Sequence, residues 1–128
     1  SVEGESGMHE ESIKTYKRAL KIAPNKVGAM HSMAHHLKTL GRQDKAIEAY
    51  RKAISVKPDY TEAYWSMANL KTFNFEDEEI KAMEDLLNDP DLPDAGRVHL
   101  FNALGLEYES RKDFDKAFHY YKIARTFG

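Results

Sequence analysis

The feature that most constrains the fold is a pattern that recurs after 34 residues. Residues 41–58 open with a glycine, continue as an amphipathic segment and end at a proline. The order glycine, aliphatic residue, tyrosine, alanine and proline occurs twice, at Gly7, Ile13, Tyr16, Ala19 and Pro24 and at Gly41, Ile47, Tyr50, Ala53 and Pro58. A fixed period of this length indicates stacked structural repeats, each of which buries its apolar face against its neighbours.

Apolar residues at helical spacing, separated by turn signals, predict seven helices. The predicted segments cover about 9–22, 27–40, 43–56, 60–73, 76–88, 94–110 and 113–126. Gly41 is expected to take the left-handed conformation that commonly closes a helix. Pro58 is expected to stop the helix before it, because proline cannot continue a helix. The sequence therefore predicts an all-α fold of stacked helix pairs.

Charge divides the chain into a basic half and an acidic half. Residues 13–57 contain eleven Lys and Arg against two acids, whereas residues 58–97 contain eleven acids against three Lys and Arg. Solvated helix faces explain such a pattern most simply. The alternative is electrostatic steering of a partner, or head-to-tail association of copies.

The composition excludes several classes of protein. The absence of cysteine excludes disulfides and thiolate metal sites. No apolar run approaches the length of a membrane span, so no membrane partner is expected. Residues 1–8 are polar and acidic and are predicted to be disordered or derived from a tag, without the apolar core of a signal peptide. A cytoplasmic location is expected.

The recurring residues resemble the tetratricopeptide repeat, a 34-residue helix–turn–helix with the pattern W-x2-L-G-x2-Y, then A-x3-F, then P. The resemblance implies a right-handed superhelix and one repeat domain over residues 9–128. Its parts are the second helix of a truncated repeat at 9–24, a repeat at 27–58, a degenerate repeat at 61–93 and a repeat at 94–128. The positions that carry the pattern are Ala34, Gly41, Ala46, Tyr50, Ala53, Pro58, Ala68, Gly105, Tyr108, Ala117, Tyr121 and Ala124.

The degenerate repeat departs from the family pattern, with Lys71 where an aromatic residue is usual and Glu84 where Phe or Tyr is usual. Residues 63–73, 97–100 and 113–118 look like the repeat region that precedes the catalytic domain of bacterial sulfotransferases with tetratricopeptide repeats. That resemblance implies a regulatory or substrate-presenting role as the alternative function. It implies no activity for this chain, because no glycine-rich phosphate loop is present.

In repeat arrays of this kind the first helix of each pair lines the concave face, where peptides bind. The residues expected to face this groove are His31, His35, Lys38, Trp65, Asn69, His99 and Asn102. Trp65 is the only tryptophan, and an exposed aromatic residue in a groove is a plausible binding hot spot. The alternative is that Trp65 packs against the neighbouring helix pair. The sequence thus predicts a protein or peptide as the partner.

Other site chemistries find less support in the sequence. His31, His35 and His99 offer three imidazoles for zinc, but no HExxH motif accompanies them, so a polar groove wall is the favoured interpretation and no metal or cofactor is expected. No motif positions a nucleophile and a base, so the chain is not expected to be an enzyme. The acids of residues 58–97 would repel nucleic acid, which is not expected as a partner.

The ends of the array form the last candidate site. Repeat arrays need polar capping helices, because a terminal repeat otherwise exposes its stacking face. The last predicted helix and the residues directly after it have no solvating helix beyond them, and they include Phe114, Phe118, Tyr121 and Phe127. We therefore expect self-association through an end, or residues 1–8 folded over one end.

Overall fold

The computed structural model describes residues 2–70 and 72–127, with side chains from Gly7 onward. Seven α-helices occupy these residues, and the all-α prediction is confirmed. Their bounds are α1 Val2–Ile22, α2 Val27–Thr39, α3 Gln43–Val56, α4 Thr61–Ala68, α5 Asp77–Leu87, α6 Asp94–Ser110 and α7 Phe114–Phe127.

Helix α1 is longer than predicted. It begins at Val2, so residues 2–8, predicted to be disordered or derived from a tag, are helical. The segment contains no proline and is continuous with the amphipathic stretch that follows. Once such a stretch is helical, each added residue gains a backbone hydrogen bond without a new nucleation step. Helix extension therefore overrides the polar composition on which the prediction rested.

The chain divides into two compact units, Ser1–Pro58 and Asp59–Gly128. The division coincides with the junction predicted between the repeats at 27–58 and 61–93. The right-handed superhelix, which concerns both units together, stays a prediction.

In the first unit, α2 packs against both α1 and α3. Small side chains let the helix axes approach closely, and larger ones fill the space beside them. Ala34, Ala46 and Ala53 are fully buried, together with Met30 and the ring of Tyr50. Three of the predicted pattern positions therefore serve close packing, as the repeat pattern implies.

Gly41, which the sequence predicts to close a helix, follows the end of α2. Gly41 has a φ of +80°, in the left-handed region. Its N–H donates to the carbonyl of Lys38 at 3.0 Å, and the N–H of Arg42 donates to the carbonyl of Leu37 at 2.9 Å. These two bonds form a Schellman motif, which satisfies carbonyls that the helix end would leave without partners.

In the second unit, α6 is the central helix, against which α4, α5 and α7 pack. Leu100, Ala103 and Leu104 on α6 are fully buried, as are Met67 of α4 and Met83 of α5. Gly105, a predicted pattern position, is buried where α6 meets α7. The unit is therefore organised around one long helix.

Helix α4 is shorter than the predicted segment 60–73, since it ends at Ala68. The side-chain amide of Asn69 donates to the carbonyl of Trp65 at 2.8 Å, competing with the backbone for that acceptor. Thr72 then has a φ of 58°, which is incompatible with a right-handed helix. Local side-chain chemistry therefore ends α4 and opens a loop that leads to α5.

Candidate partner-binding surfaces

The groove residues predicted in the first unit lie on α2 in two different environments. The imidazole of His31 is half-buried, and its edge meets the ring of Tyr50 at 5.6 Å between centroids. Since Tyr50 belongs to the buried core, this contact fixes the orientation of His31. The side chains of His35 and Lys38 are exposed. Helix α2 thus presents one anchored imidazole and two polar side chains that a ligand can reach.

A pair of histidines joins α1 to α2, and no sequence pattern predicted it. The Nδ1 atoms of His36 and His9 lie 2.6 Å apart, so one ring donates to the other. His36 also stacks on Tyr16 at 5.9 Å between centroids. Burial lowers the pKa of His36 below its ordinary value of 6.5, and the neighbouring His9 and His35 lower it further. His36 is therefore held neutral as a packing residue. The 27-residue separation between the paired rings gave no local signal.

The groove residues predicted in the second unit lie on or next to two helices that pack together, α4 and α6. Trp65 is on α4, Asn69 directly follows it, and His99 and Asn102 are on α6. Trp65 and Asn102 are half-buried, and Asn69 is exposed. The Nδ1 of His99 lies 3.1 Å from the hydroxyl of Thr61, which links the two helices. The structure brings these four residues onto one helix pair. Their predicted union with the α2 residues in a single groove stays a prediction.

A polar cluster that no sequence pattern predicted holds the loop between α4 and α5. Glu107 on α6 is only 3% exposed. Its Oε1 accepts from the backbone N–H of Phe75 at 2.7 Å, and its Oε2 accepts from Arg111 at 2.8 Å. Arg111 also donates to the carbonyl of Phe75 at 3.1 Å. A buried charge satisfied on both oxygens is stable where an isolated one is not.

This cluster explains part of the degenerate repeat. Phe75 is buried beside the core ring of Tyr64, at 6.0 Å between centroids. The loop therefore inserts an aromatic side chain where α4 has already ended. Within the sequence, the one available signal was a glutamate and an arginine four residues apart, at positions 107 and 111 of an apolar helix face. That spacing indicates an ion pair but not the loop that it holds.

Glu84, the other departure from the repeat pattern, has a partner within the same unit. The hydroxyl of Tyr120 donates to its Oε2 at 3.2 Å. Burial, with the adjacent charge of Glu84, raises the pKa of Tyr120 to about 12. The tyrosine thus stays protonated and satisfies the carboxylate, which explains how the position tolerates an acid.

A cleft of about 530 Å³ lies between α1 and α3 in the first unit, with α2 at its base. Its floor is apolar and its rim is basic. Ile13, Met33, Leu37 and Ala49 form the floor. The rim carries five cations and two acids, Lys14, Lys17, Arg42, Lys45, Lys52, Glu10 and Glu48. The predicted groove residues of α2 do not line this cleft.

A second apolar surface lies where α7 follows α6. Phe114 and Phe118 are 59% and 71% exposed. They border an open cleft of about 440 Å³ that Glu109, Ala117 and Tyr121 also line. Two neighbouring phenyl rings exposed to this degree form the kind of patch that marks an interaction surface.

Among the described side chains, no three His, Asp or Glu residues are grouped as a metal site. None of the described helices has the length and hydropathy needed to cross a membrane.

Two family models match the sequence. A model described as a TPR repeat matches residues 34–71, and a model described as a tetratricopeptide repeat matches residues 2–26. No curated protein matches the chain. The first match runs from the second half of α2 through α3 and α4, and the second covers α1 and the turn after it. Neither model describes a catalytic domain, and repeats of this kind generally mediate protein–protein interaction. Residues 2–26 and 34–71 are therefore similar to tetratricopeptide repeats.

Proposed function

We propose that the chain is a non-catalytic interaction module that binds a peptide or protein segment on the first helices of its repeats, α2, α4 and α6. The observation that carries this proposal is the environment of Trp65. This single tryptophan is half-buried on α4, so part of its indole ring stays accessible to a partner. Burying such a ring against a partner is among the most favourable contacts that an interface can make.

Polar side chains on or next to α4 and on α6 are already held in place by hydrogen bonds. The amide of Asn69 bonds to the carbonyl of Trp65 at 2.8 Å, one turn along the same helix face. On the adjoining helix, His99 is oriented by the hydroxyl of Thr61. A ligand therefore meets groups that already have fixed positions, which lowers the entropy lost on binding.

In the first unit, the predicted binding surface on α2 is polar. His35 and Lys38 are exposed one turn apart, and His31 is held by the core ring of Tyr50. Exposed cationic or imidazole side chains of this type favour a ligand with carboxylate or carbonyl acceptors. We infer that a ligand segment bound on α2 carries such acceptors.

The test uses Trp65 as its own reporter. A random peptide library displayed on phage is selected against the immobilised chain, and the enriched peptides are titrated while tryptophan fluorescence is recorded. Because the chain has one tryptophan, any shift in emission reports on α4. We expect a saturable blue shift, since binding moves the indole out of water.

The paired variants are Trp65→Ala, which removes the half-buried indole of α4, and Phe118→Ala, which removes an exposed phenyl ring of α7. Followed by anisotropy of a labelled peptide, Trp65→Ala should weaken binding at least tenfold, as expected for a hot spot. Phe118→Ala should leave it unchanged. Equal affinity for the Trp65→Ala variant and the unmodified chain would refute the proposal.

We also propose that the chain self-associates through the exposed face of α7. Phe114 and Phe118 support this, because both rings are more than half exposed beside an open apolar cleft. Association of two such faces would bury the rings, and each Å² of apolar surface removed from water would contribute about 25 cal/mol of favourable free energy.

A regulatory or substrate-presenting role beside a sulfotransferase domain is a further hypothesis, supported by the resemblance of residues 63–73, 97–100 and 113–118 alone. The coding sequence after Gly128 tests it directly. A strand followed by a phosphate-loop motif would support the hypothesis, and its absence from the complete gene would refute it.

A further inference from the structure

The cleft between α1 and α3 is a further candidate interface, separate from the first-helix surface and from the exposed face of α7. Each rim helix presents residues at spacings of three, four and seven, at 10, 13, 14 and 17 on α1 and at 45, 48, 49 and 52 on α3. These spacings place one continuous face of each helix along the cleft. Seven residues of helix rise about 10 Å, so the cleft accepts roughly two helical turns of a ligand.

The charges on the rim are not internally balanced. Arg42 forms an ion pair with Glu10, and the Nζ of Lys45 lies 3.5 Å from the Oε2 of Glu48. Within the described part of the chain, the ammonium groups of Lys17 and Lys52 have no carboxylate partner. One of these two lysines lies on α1 and the other on α3. Positive charge is therefore available on both sides of the cleft.

The floor between these lysines is apolar. Ile13 and Leu37 are buried, with Met33 half-buried and Ala49 beside them. An anion alone gains nothing from such a floor, and an apolar helix alone gains nothing from the lysines. A ligand that matches both features has an apolar stripe flanked on each side by carboxylates.

From this complementarity we propose that the cleft between α1 and α3 binds an acidic amphipathic helix of a partner protein. Its apolar side chains enter the cleft over Met33 and Leu37. Its flanking carboxylates pair with Lys17 on one side and Lys52 on the other. This is the mode in which an amphipathic helix lies in a groove, here with basic walls that select the ligand by charge.

The probe is a fluorescein-labelled 14-residue helical peptide with Leu at spacings of three and four and Glu on the flanking positions. Two reference peptides share its length, a scrambled sequence of equal composition and a version with Lys in place of Glu. Anisotropy titrations with the full chain should show the amphipathic acidic peptide binding at least tenfold more tightly than either reference. Raising NaCl from 50 to 500 mM should weaken this binding, because exposed charge pairs are screened.

The variant Lys17→Glu/Lys52→Glu should weaken binding of the probe by about tenfold or more, since two favourable rim charges become repulsive. The control Lys21→Glu/Lys26→Glu changes the net charge of the same unit by the same amount outside the cleft and should bind normally. Trp65→Ala should also bind normally, which separates this site from the first-helix surface. Both double variants change exposed side chains only, and circular dichroism confirms their folding.

Three results would overturn the proposal. The first is equal binding of the scrambled peptide, which would indicate charge attraction alone. The second is an equal loss of affinity in the control double variant. The third is tighter binding of inorganic polyphosphate than of the peptide, because this would identify the rim as a general polyanion surface.

Discussion

The ring of Tyr121 on α7 lies directly against the α-carbon of Gly105 on α6. A β-carbon added at Gly105 would come within 2.5 Å of Cε1 and 2.7 Å of Cδ1 of that ring. The tyrosine hydroxyl extends past this contact and donates to Glu109 at 3.2 Å. Burial, followed by the charge of Glu109, raises the pKa of Tyr121 to about 12. The close approach of α6 and α7 therefore depends on a position without a side chain.

Gly105→Ala should lower the free energy of unfolding by about 1–3 kcal/mol, because the added methyl group forces the Tyr121 ring or the helix to move. Urea denaturation followed by circular dichroism measures this change. Gly28→Ala on α2 is the control, since a β-carbon there meets nothing within 4 Å. It should be neutral or stabilising by at most about 1 kcal/mol, as expected for Gly→Ala in a helix. Equal effects at both glycines would contradict the packing role of Gly105.

The second prediction concerns the turns that follow α2 and α6. Lys112 has a φ of 64° and forms, with Asp113, the same two bonds after α6 that Gly41 and Arg42 form after α2. A left-handed conformation is strained for lysine and costs nothing for glycine. Lys112→Gly should therefore stabilise the chain by about 0.5–1 kcal/mol, and Gly41→Ala should destabilise it by about 1 kcal/mol or more. Thermal melting should therefore show a higher melting temperature for Lys112→Gly and a lower one for Gly41→Ala.

The repeat period accounts for what the sequence predicted well. Gly41 and Lys112 lie 71 residues apart, the same offset that relates Tyr50 to Tyr121. A period in apolar and turn residues reports packing that each repeat shares, so the helices, the turn at Gly41 and the buried alanines followed from it. The loop after α4 did not, because Glu107 acts on Phe75 across 32 residues of chain. The His9–His36 contact was not predicted for the same reason, because its two residues are 27 positions apart and the repeat period does not relate them.

The third prediction concerns the loop held by Glu107. Glu107→Ala leaves the buried N–H of Phe75 without its acceptor and should cost about 1–3 kcal/mol. Glu107→Gln keeps an oxygen acceptor for that N–H and should cost less. Amide hydrogen exchange separates local from global effects, because only loss of this contact should speed exchange at Phe75 more than at Leu100. Equal exchange in both variants and in the unmodified chain would show that the loop does not depend on Glu107.

The fourth prediction follows from the lowered pKa of His36. The unfolded chain binds a proton at this residue near pH 6.5, whereas the folded chain does so only at a lower pH. The stability that neutral His36 contributes is therefore complete above pH 6.5 and is lost as the pH falls through its folded pKa. The groups around the ring are His9, His35 and Tyr16.

Melting temperatures between pH 7.5 and 5 should fall more steeply for the unmodified chain than for His36→Asn. His119→Asn on the exposed face of α7 is the control and should keep the full pH dependence. The comparison uses slopes, because removing the His36 ring also removes its stacking on Tyr16. Parallel slopes for the chain and the His36→Asn variant would assign the pH dependence to other groups.

The last prediction tests self-association through α7. Phe114 and Phe118 lie four residues apart, so their rings occupy one helix face beside the open cleft. Sedimentation equilibrium over a range of concentrations should show a reversible dimer of the unmodified chain. Phe118→Glu should shift the chain to monomer, because it places a charge in the apolar interface. Asp115→Lys, an exposed charge reversal on the same helix, should leave the dimer intact if the rings provide the contact. A monomer at every concentration would refute the proposal, whereas a dimer that persists in Phe118→Glu would place the interface elsewhere.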